Sequence, residues 1–257
     1  MSWLDGLCIV LAGLGAGTIN TIVGSGSLIT FPTLLLVGVP PITANISNNI
    51  GMLGGGMTGI WGYRRELRGR WAPLLRLLPY SVVGAFAGAM LLLVLPAKAF
   101  AAIVPVLIGF GLLMVIFGPR ANRWAAARHH ESGAAPAWQG GALIVGLLLA
   151  AAYGGYFGAA QGVILMGLLS TLAQGSLQEL NAWKNVLATV ANGTAAAVFL
   201  VAAPEHVDWL IASLIGLGTF LGGFVGAGVG RRLPAPALRM IIIVIGVLGI
   251  VKIVFYP

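Results

Sequence analysis

Val23-Gly24-Ser25-Gly26-Ser27 and Phe157-Gly158-Ala159-Ala160-Gln161-Gly162 are the two stretches on which the fold turns. Each interrupts an apolar region, Trp3 to Val37 in one case and Trp138 to Leu172 in the other. A single crossing of a hydrocarbon core about 30 Å thick needs only about 20 residues, and both regions are well beyond that length. Glycine, alanine and a few polar side chains in the middle of such a run predict a helical hairpin or a re-entrant pair of half-helices rather than one straight helix.

The surroundings of the two breaks are of the same apolar kind. Of the 257 residues, 59% are hydrophobic and 8% charged, and the mean hydropathy is +1.00; soluble domains carry roughly a quarter charged residues. Further spans are expected at Ile42 to Tyr63, Ala72 to Leu95, Ala99 to Gly118, Leu177 to Ala202, Val207 to Gly230 and Ala235 to Tyr256. Met1 to Thr18 lacks a basic leader and runs into more apolar sequence, so the first stretch is expected to remain in the mature protein. Cys8 is the only cysteine, which rules out an intrachain disulfide and a thiolate zinc site.

The net charge of +8 does not point to nucleic acid, because the basic residues sit in connections between apolar runs. All eleven arginines fall in three of them: Arg64, Arg65, Arg68, Arg70 and Arg76; Arg120, Arg123 and Arg128; Arg231, Arg232 and Arg239. The positive-inside rule places these loops in the cytoplasm, and the connections at Lys98 and at Glu205-His206-Val207-Asp208 outside. Counting from these anchors puts Gly38 to Pro41 outside and Gln174 to Gln178 inside. The segment Trp138 to Leu172 therefore leaves and returns on the cytoplasmic face, while the N-terminal segment dips in from the other side.

The two halves also correspond in sequence. Gly24-Ser25-Gly26-Ser27 aligns with Gly158-Ala159-Ala160-Gln161 at an offset of 134, and Ala44-Asn45-Ile46-Ser47-Asn48-Asn49-Ile50 with Leu180-Asn181-Ala182-Trp183-Lys184-Asn185-Val186 at 136. The expectation is an all-α polytopic membrane protein of two inverted-topology repeats, each a broken helical hairpin plus three transmembrane helices. Residues 1–118 form the first repeat, 119–137 a cytoplasmic linker and 138–257 the second repeat. Inverted repeats with broken helices are a recurring plan of secondary transporters.

With the glycine-rich break followed by Leu28-Ile29-Thr30-Phe31-Pro32, the Ala-Asn second helix, the arginine-rich inner loop and the repeat of this plan, the chain resembles the TauE/SafE family of sulfite exporters. The resemblance covers nearly the whole chain. It implies a multi-pass protein of the bacterial inner membrane that transports sulfur oxyanions or organosulfonates. Ser27 in the first break and Ala160-Gln161 in the second depart from the family's glycine-rich breaks and add or shift polarity there.

The second arm of each hairpin starts at the break, so its unpaired N–H groups and positive dipole end are expected to face the middle of the membrane, an arrangement suited to an anion. Ser25, Gly26 and Ser27 from one break and Ala160, Gln161 and Gly162 from the other are the expected donors. Asn45 and Asn49, like Asn181 and Asn185, lie four residues apart and share a helix face. These pairs are read as lining the translocation site, although asparagine in a membrane also serves as interhelical glue. Lys184 either snorkels to the cytoplasmic face or supplies the positive charge of the anion path.

No Asp or Glu falls at the centre of an expected span, which disfavours a relay on buried carboxylates; the coupling ion, H⁺ or Na⁺, stays open. Gly218, Gly222, Gly226 and Gly230, with Gly84 and Gly88, form small-residue faces for intrachain packing or a homodimer seam. Gly13-Leu14-Gly15-Ala16-Gly17 follows no strand and is not a dinucleotide loop. His129, His130 and Glu131 are read as solvated inner-loop residues, and His206 with Asp208 lacks a poised nucleophile. Neither a cofactor, a metal nor an enzymatic function is expected. The reading is a secondary transporter of small anions, an exporter, embedded in the lipid bilayer; an anion channel and a non-transporting membrane scaffold or assembly factor are the rivals.

Overall fold

The computed structural model describes residues 2–129, 138–229 and 235–255. His130, Glu131, Gly230, Arg231 and Arg232 lie outside the described residues, as do the side chains of Arg123, Arg128, His129 and Arg239. The described chain is helical: α1 (Trp3–Ile22), α2 (Ser27–Leu36), α3 (Pro41–Gly62), α4 (Trp71–Leu75), α5 (Leu78–Val94), α6 (Ala97–His129), α7 (Trp138–Tyr156), α8 (Gln161–Leu172), α9 (Leu177–Ala202), α10 (Trp209–Val229) and α11 (Ala235–Phe255). A single 3₁₀ turn, Pro204–His206, precedes α10.

Local chemistry sets these ends. Ser2 and Asp5 form a capping box at α1, and Ser176 with Glu179 forms one at α9; each satisfies two backbone donors that a helix start leaves over. Proline opens α3 at Pro41 and α5 at Pro79, positions where no helical N–H is needed. Pro79 also explains why the expected span Ala72 to Leu95 is divided into α4 and α5. Helix α6 runs on to His129, past the expected end at Gly118.

Among the described residues, six helical stretches are long and apolar enough to cross a membrane: residues 3–22, 71–94, 97–118, 138–156, 177–202 and 209–228. The arms of each broken segment are unequal. Helices α1 and α7 have 20 and 19 residues, whereas α2 and α8 have 10 and 12. At 1.5 Å per residue the first arms reach about 30 Å and the second arms about half of that. Where a helical hairpin or a re-entrant pair of half-helices was expected, each broken segment is thus a full-length helix followed by a short one. Helix α3 matches the long helices in length but carries buried Asn45, Ser47, Asn48, Asn49 and Thr58. Polar residues in a membrane face the protein interior, and α3 accordingly packs among α1, α9 and α10.

The packing scheme survives exchange of the two halves. Helix α10 packs on α1 and α3, and α5 packs on α7 and α9; α11 packs on α2, and α6 on α8; α3 and α9 meet each other. Close approaches give the directions. Gly218, Gly222 and Gly226 press on the backbone at Val10, Leu14 and Thr18, so α10 runs parallel to α1. Gly84 and Gly88 press on Leu148 and Ala152 in the same manner, so α5 runs parallel to α7. Between the halves, Gly59 faces Asn185, Gly56 faces Thr189 and Leu53 faces Gly193, which makes α3 and α9 antiparallel.

The small-residue faces are therefore intrachain seams. An added Cβ would come within 2.4 Å of the Val10 carbonyl oxygen at Gly218 and within 2.1 Å of the Leu14 carbonyl oxygen at Gly222. Thr18 exploits the approach by donating its hydroxyl to the Gly222 carbonyl at 3.0 Å.

Candidate functional site

The two breaks touch. At the first, the N–H groups of Val23 and Gly24 both return to the Ile19 carbonyl, and Gly24 turns the chain at φ +87°. At the second, Phe157 and Gly158 return to the Tyr153 carbonyl in the same way, with Gly158 at φ +76°. Glycine takes these left-handed angles without a Cβ penalty. Ala160 takes one as well, at φ 61°. The Gly162 N–H then donates to the Gly24 carbonyl at 3.0 Å, so this expected donor ties one break to the other.

Other backbone donors at the breaks are not committed. The N–H groups of Gly26, Ser27, Ala159 and Ala160 donate to no carbonyl among the described residues. They sit at the starts of α2 and α8, where four N–H groups lack intrahelical partners. Ser25, Ser27 and Gln161 are all buried, so water does not readily serve these groups from bulk.

The aligned asparagines divide into two kinds. Asn45 on α3 donates its amide to the Tyr156 carbonyl at 3.0 Å, and Asn181 on α9 donates to the Thr21 carbonyl at 3.2 Å. Each therefore satisfies the last turn of the long arm in the opposite half, where a helix end leaves carbonyls unpaired. Replacing either by alanine strands a buried carbonyl, and about 1–3 kcal/mol of stability is the expected loss; denaturation of the purified single variants in detergent measures it. One turn along, Asn49 Oδ1 and Asn185 Nδ2 are buried without a partner. So are Ser25 Oγ in the first break and Gln161 Nε2 in the second. Each half thus contributes one unpartnered polar atom from its break and one from the helix that follows.

Lys184 breaks the symmetry. Its counterpart at the 136-residue offset is Asn48, whose Oδ1 accepts from the Thr30 hydroxyl. Lys184 is only 1% exposed, so it does not snorkel. Its Nζ donates to the Asn20 carbonyl at 3.2 Å, and among the described residues it makes no ion pair. Asn20 packs directly against Gly26, where an added Cβ would lie 2.9 Å from the Asn20 Cβ. The ammonium is accordingly held on the turn of α1 that backs the first break.

The second break carries an aromatic cluster. Phe157, within the second break, meets Phe31 edge-on at 5.0 Å and stands 6.3 Å from Phe100, while Phe100 lies 5.7 Å from Tyr156. The hydroxyls of Tyr153 and Tyr156 are buried and unpartnered. Sequence reasoning missed this cluster; the run Tyr153-Gly154-Gly155-Tyr156-Phe157 at the edge of the break is the signal that carried it. Glu179 sits at the α9 start and pairs with Arg70 at 2.9 Å. No group of three or more potential metal ligands occurs among the described residues.

Taken together, the breaks place uncommitted backbone N–H groups, three side-chain donors and an unbalanced ammonium around two helix starts. Hydrogen-bond donors and a cation at helix starts are the kind of set that suits an anion. Comparisons with known proteins agree in kind. The profile of the family described as Sulfite exporter TauE/SafE matches residues 9–253. A probable membrane transporter protein ORF9 of Sinorhizobium sp is 27% identical over 97% of this chain and 92% of its own length. A probable membrane transporter protein of Haemophilus influenzae is 24% identical over 98% and 96%, and the probable membrane transporter protein YfcA of Escherichia coli K12 is 27% identical over 91% and 84%. No solved structure matches.

Proposed function

We propose, because the chain belongs to the sulfite exporter TauE/SafE family, that it is a secondary transporter of small sulfur oxyanions or organosulfonates, with sulfite first among them. Membership makes it a multi-pass membrane transporter. The observation that carries the anion reading is the buried Lys184, which makes no ion pair among the described residues and whose Nζ donates to the Asn20 carbonyl, on the turn of α1 that packs against Gly26 of the first break. An anion there would meet the N–H groups of Gly26 and Ser27 and the side chains of Ser25, Gln161 and Asn185.

Alternating access follows from reading the halves as inverted repeats, a reading supported by the exchangeable packing scheme and the antiparallel α3 and α9. The site sits where the halves touch, so rocking one half on the other would open it to either face in turn. Export is the direction the family description suggests. A single ammonium balances one negative charge. Hydrogensulfite or a sulfonate would fit it alone, and a dianion would travel with a cation such as H⁺ or Na⁺.

Counterflow in proteoliposomes tests the mechanism. Unlabelled sulfite trapped inside is expected to accelerate entry of labelled sulfite, and flux is expected to saturate; non-saturating flux without acceleration would make the protein a channel. Asn49→Ala combined with Asn185→Ala is expected to lower that flux by tenfold or more, at about 1.4 kcal/mol per decade, while the melting temperature stays near wild type. Unchanged flux would remove both side chains from the site.

A further inference from the structure

A second site lies away from the breaks, at the cytoplasmic ends of α3 and α10. A cavity of about 460 Å³ opens there between Trp61, Arg64, Arg65, Glu66, Phe224 and Ala227. Arg64 is already positioned: its guanidinium lies 4.0 Å from the Trp61 ring centroid and donates to the Trp61 carbonyl at 2.8 Å. Stacking on an indole leaves the edge of the guanidinium free for a planar, two-oxygen acceptor. Both arginines are exposed. Among the described lining residues, two guanidinium groups outnumber one carboxylate.

Below the charges the wall is aromatic and open. Trp61 is 54% and Phe224 40% exposed, and they meet edge-on at 5.4 Å, with Phe220 a further 5.1 Å from Phe224. On a membrane-embedded helix pair these rings face acyl chains, and tryptophan is favoured at the headgroup level. We infer that this cavity binds an anionic phospholipid, its phosphodiester on Arg64 and Arg65 and an acyl chain along Trp61, Phe224 and Phe220. A phosphodiester carries the negative charge that the described arginines complement, and the aromatic strip beside them can receive a hydrocarbon tail. Basic pockets between membrane helices on the cytoplasmic side take lipid headgroups of this kind.

The test uses the purified full chain in detergent, with native mass spectrometry for bound lipid and thermal melting for its effect. Phosphatidylglycerol is expected to remain bound and to raise the melting temperature, and phosphatidylcholine of the same chain length to do neither. Arg64→Gln with Arg65→Gln is expected to weaken phosphatidylglycerol binding by roughly tenfold or more, and Trp61→Ala to weaken it while both charges remain. Equal binding of the two lipids, or an unchanged affinity in the double variant, would overturn the assignment. Reproduction of the melting shift by glycerol phosphate or inorganic phosphate would overturn it too, because the ligand would then be a soluble anion. Mass spectrometry of the wild-type protein reads binding directly, so the comparison of lipids stands even if a variant is poorly folded.

Discussion

Gly162→Ala is expected to abolish transport and to leave little folded protein. The added methyl would lie 2.4 Å from the Gly24 Cα and 2.7 Å from its carbonyl oxygen, backbone atoms that cannot swing aside. Gly24→Ala meets the reciprocal clash, 2.5 Å from the Gly162 Cα, and adds the strain of a side chain at φ +87°. Overpacking alone costs about 1–3 kcal/mol, and a left-handed residue with a Cβ costs about 1–2 kcal/mol more. Either change must part the breaks and lengthen the 3.0 Å hydrogen bond that joins them. Gly140→Ala serves as the control, since nothing lies within 4 Å of its ideal Cβ; it should express and transport as wild type. Monodispersity after detergent extraction and sulfite flux in proteoliposomes read the two effects. A Gly162→Ala protein that folds and transports normally would show that the contact between the breaks is incidental.

Lys184→Met gives the second large effect, with the opposite signature. Removing the charge should lower sulfite flux about 100-fold or more, the scale of losing one partner of a buried charge pair. Stability should hold or rise. An apolar side chain of similar volume removes the cost of a desolvated ammonium, and buried charges replaced this way are often neutral or stabilising. The Asn20 carbonyl loses its 3.2 Å donor, which offsets part of that gain. The rival role is purely structural: a cation near the carbonyl end of α1 is also favourable for the helix dipole. If that were its whole purpose, Lys184→Met would melt earlier and, where folded, transport at the wild-type rate. Measuring both properties on the same preparation separates the roles.

The fold was legible in the sequence where polarity and capping residues speak. Helix α9 begins and ends at Leu177 and Ala202, as expected, because Ser176 caps one end and Pro204 follows the other. Helix α6 was underestimated because the expectation stopped where lipid-like apolarity stops. Arg120 to His129 continues the helix with Arg and Ala, both good helix formers that need no membrane. The breaks were placed correctly by their glycines, but the unequal arms were not foreseen, since residue type does not say how far a helix tilts or overruns before it turns.

The site was legible as a set of side chains and not as a set of bonds. Asn45 and Asn181 were grouped with Asn49 and Asn185 by spacing alone, yet the structure commits the first two to the Tyr156 and Thr21 carbonyls and leaves the second two with unpartnered atoms. A backbone carbonyl has no sequence signature, so its choice of donor could not be read in advance. The same holds for Gly162, whose N–H went to Gly24. Lys184 was the opposite case: an isolated basic residue inside an apolar helix was conspicuous, and only its burial was needed to exclude snorkelling.

The measurement that bears most directly on the anion site is melting of the purified protein against matched sodium and potassium salts of sulfite, thiosulfate, sulfate, sulfoacetate and chloride. A ligand that binds only the folded state stabilises it by about 2.7 kcal/mol at 100 times its dissociation constant, a shift of several degrees. The expected result is a rise with one sulfur anion that is absent with chloride, independent of the site-distant Gly140→Ala change and lost in Lys184→Met. A flat response across all five anions, or a sulfite response that persists unchanged in Lys184→Met, would contradict an anion site at the meeting of the two breaks.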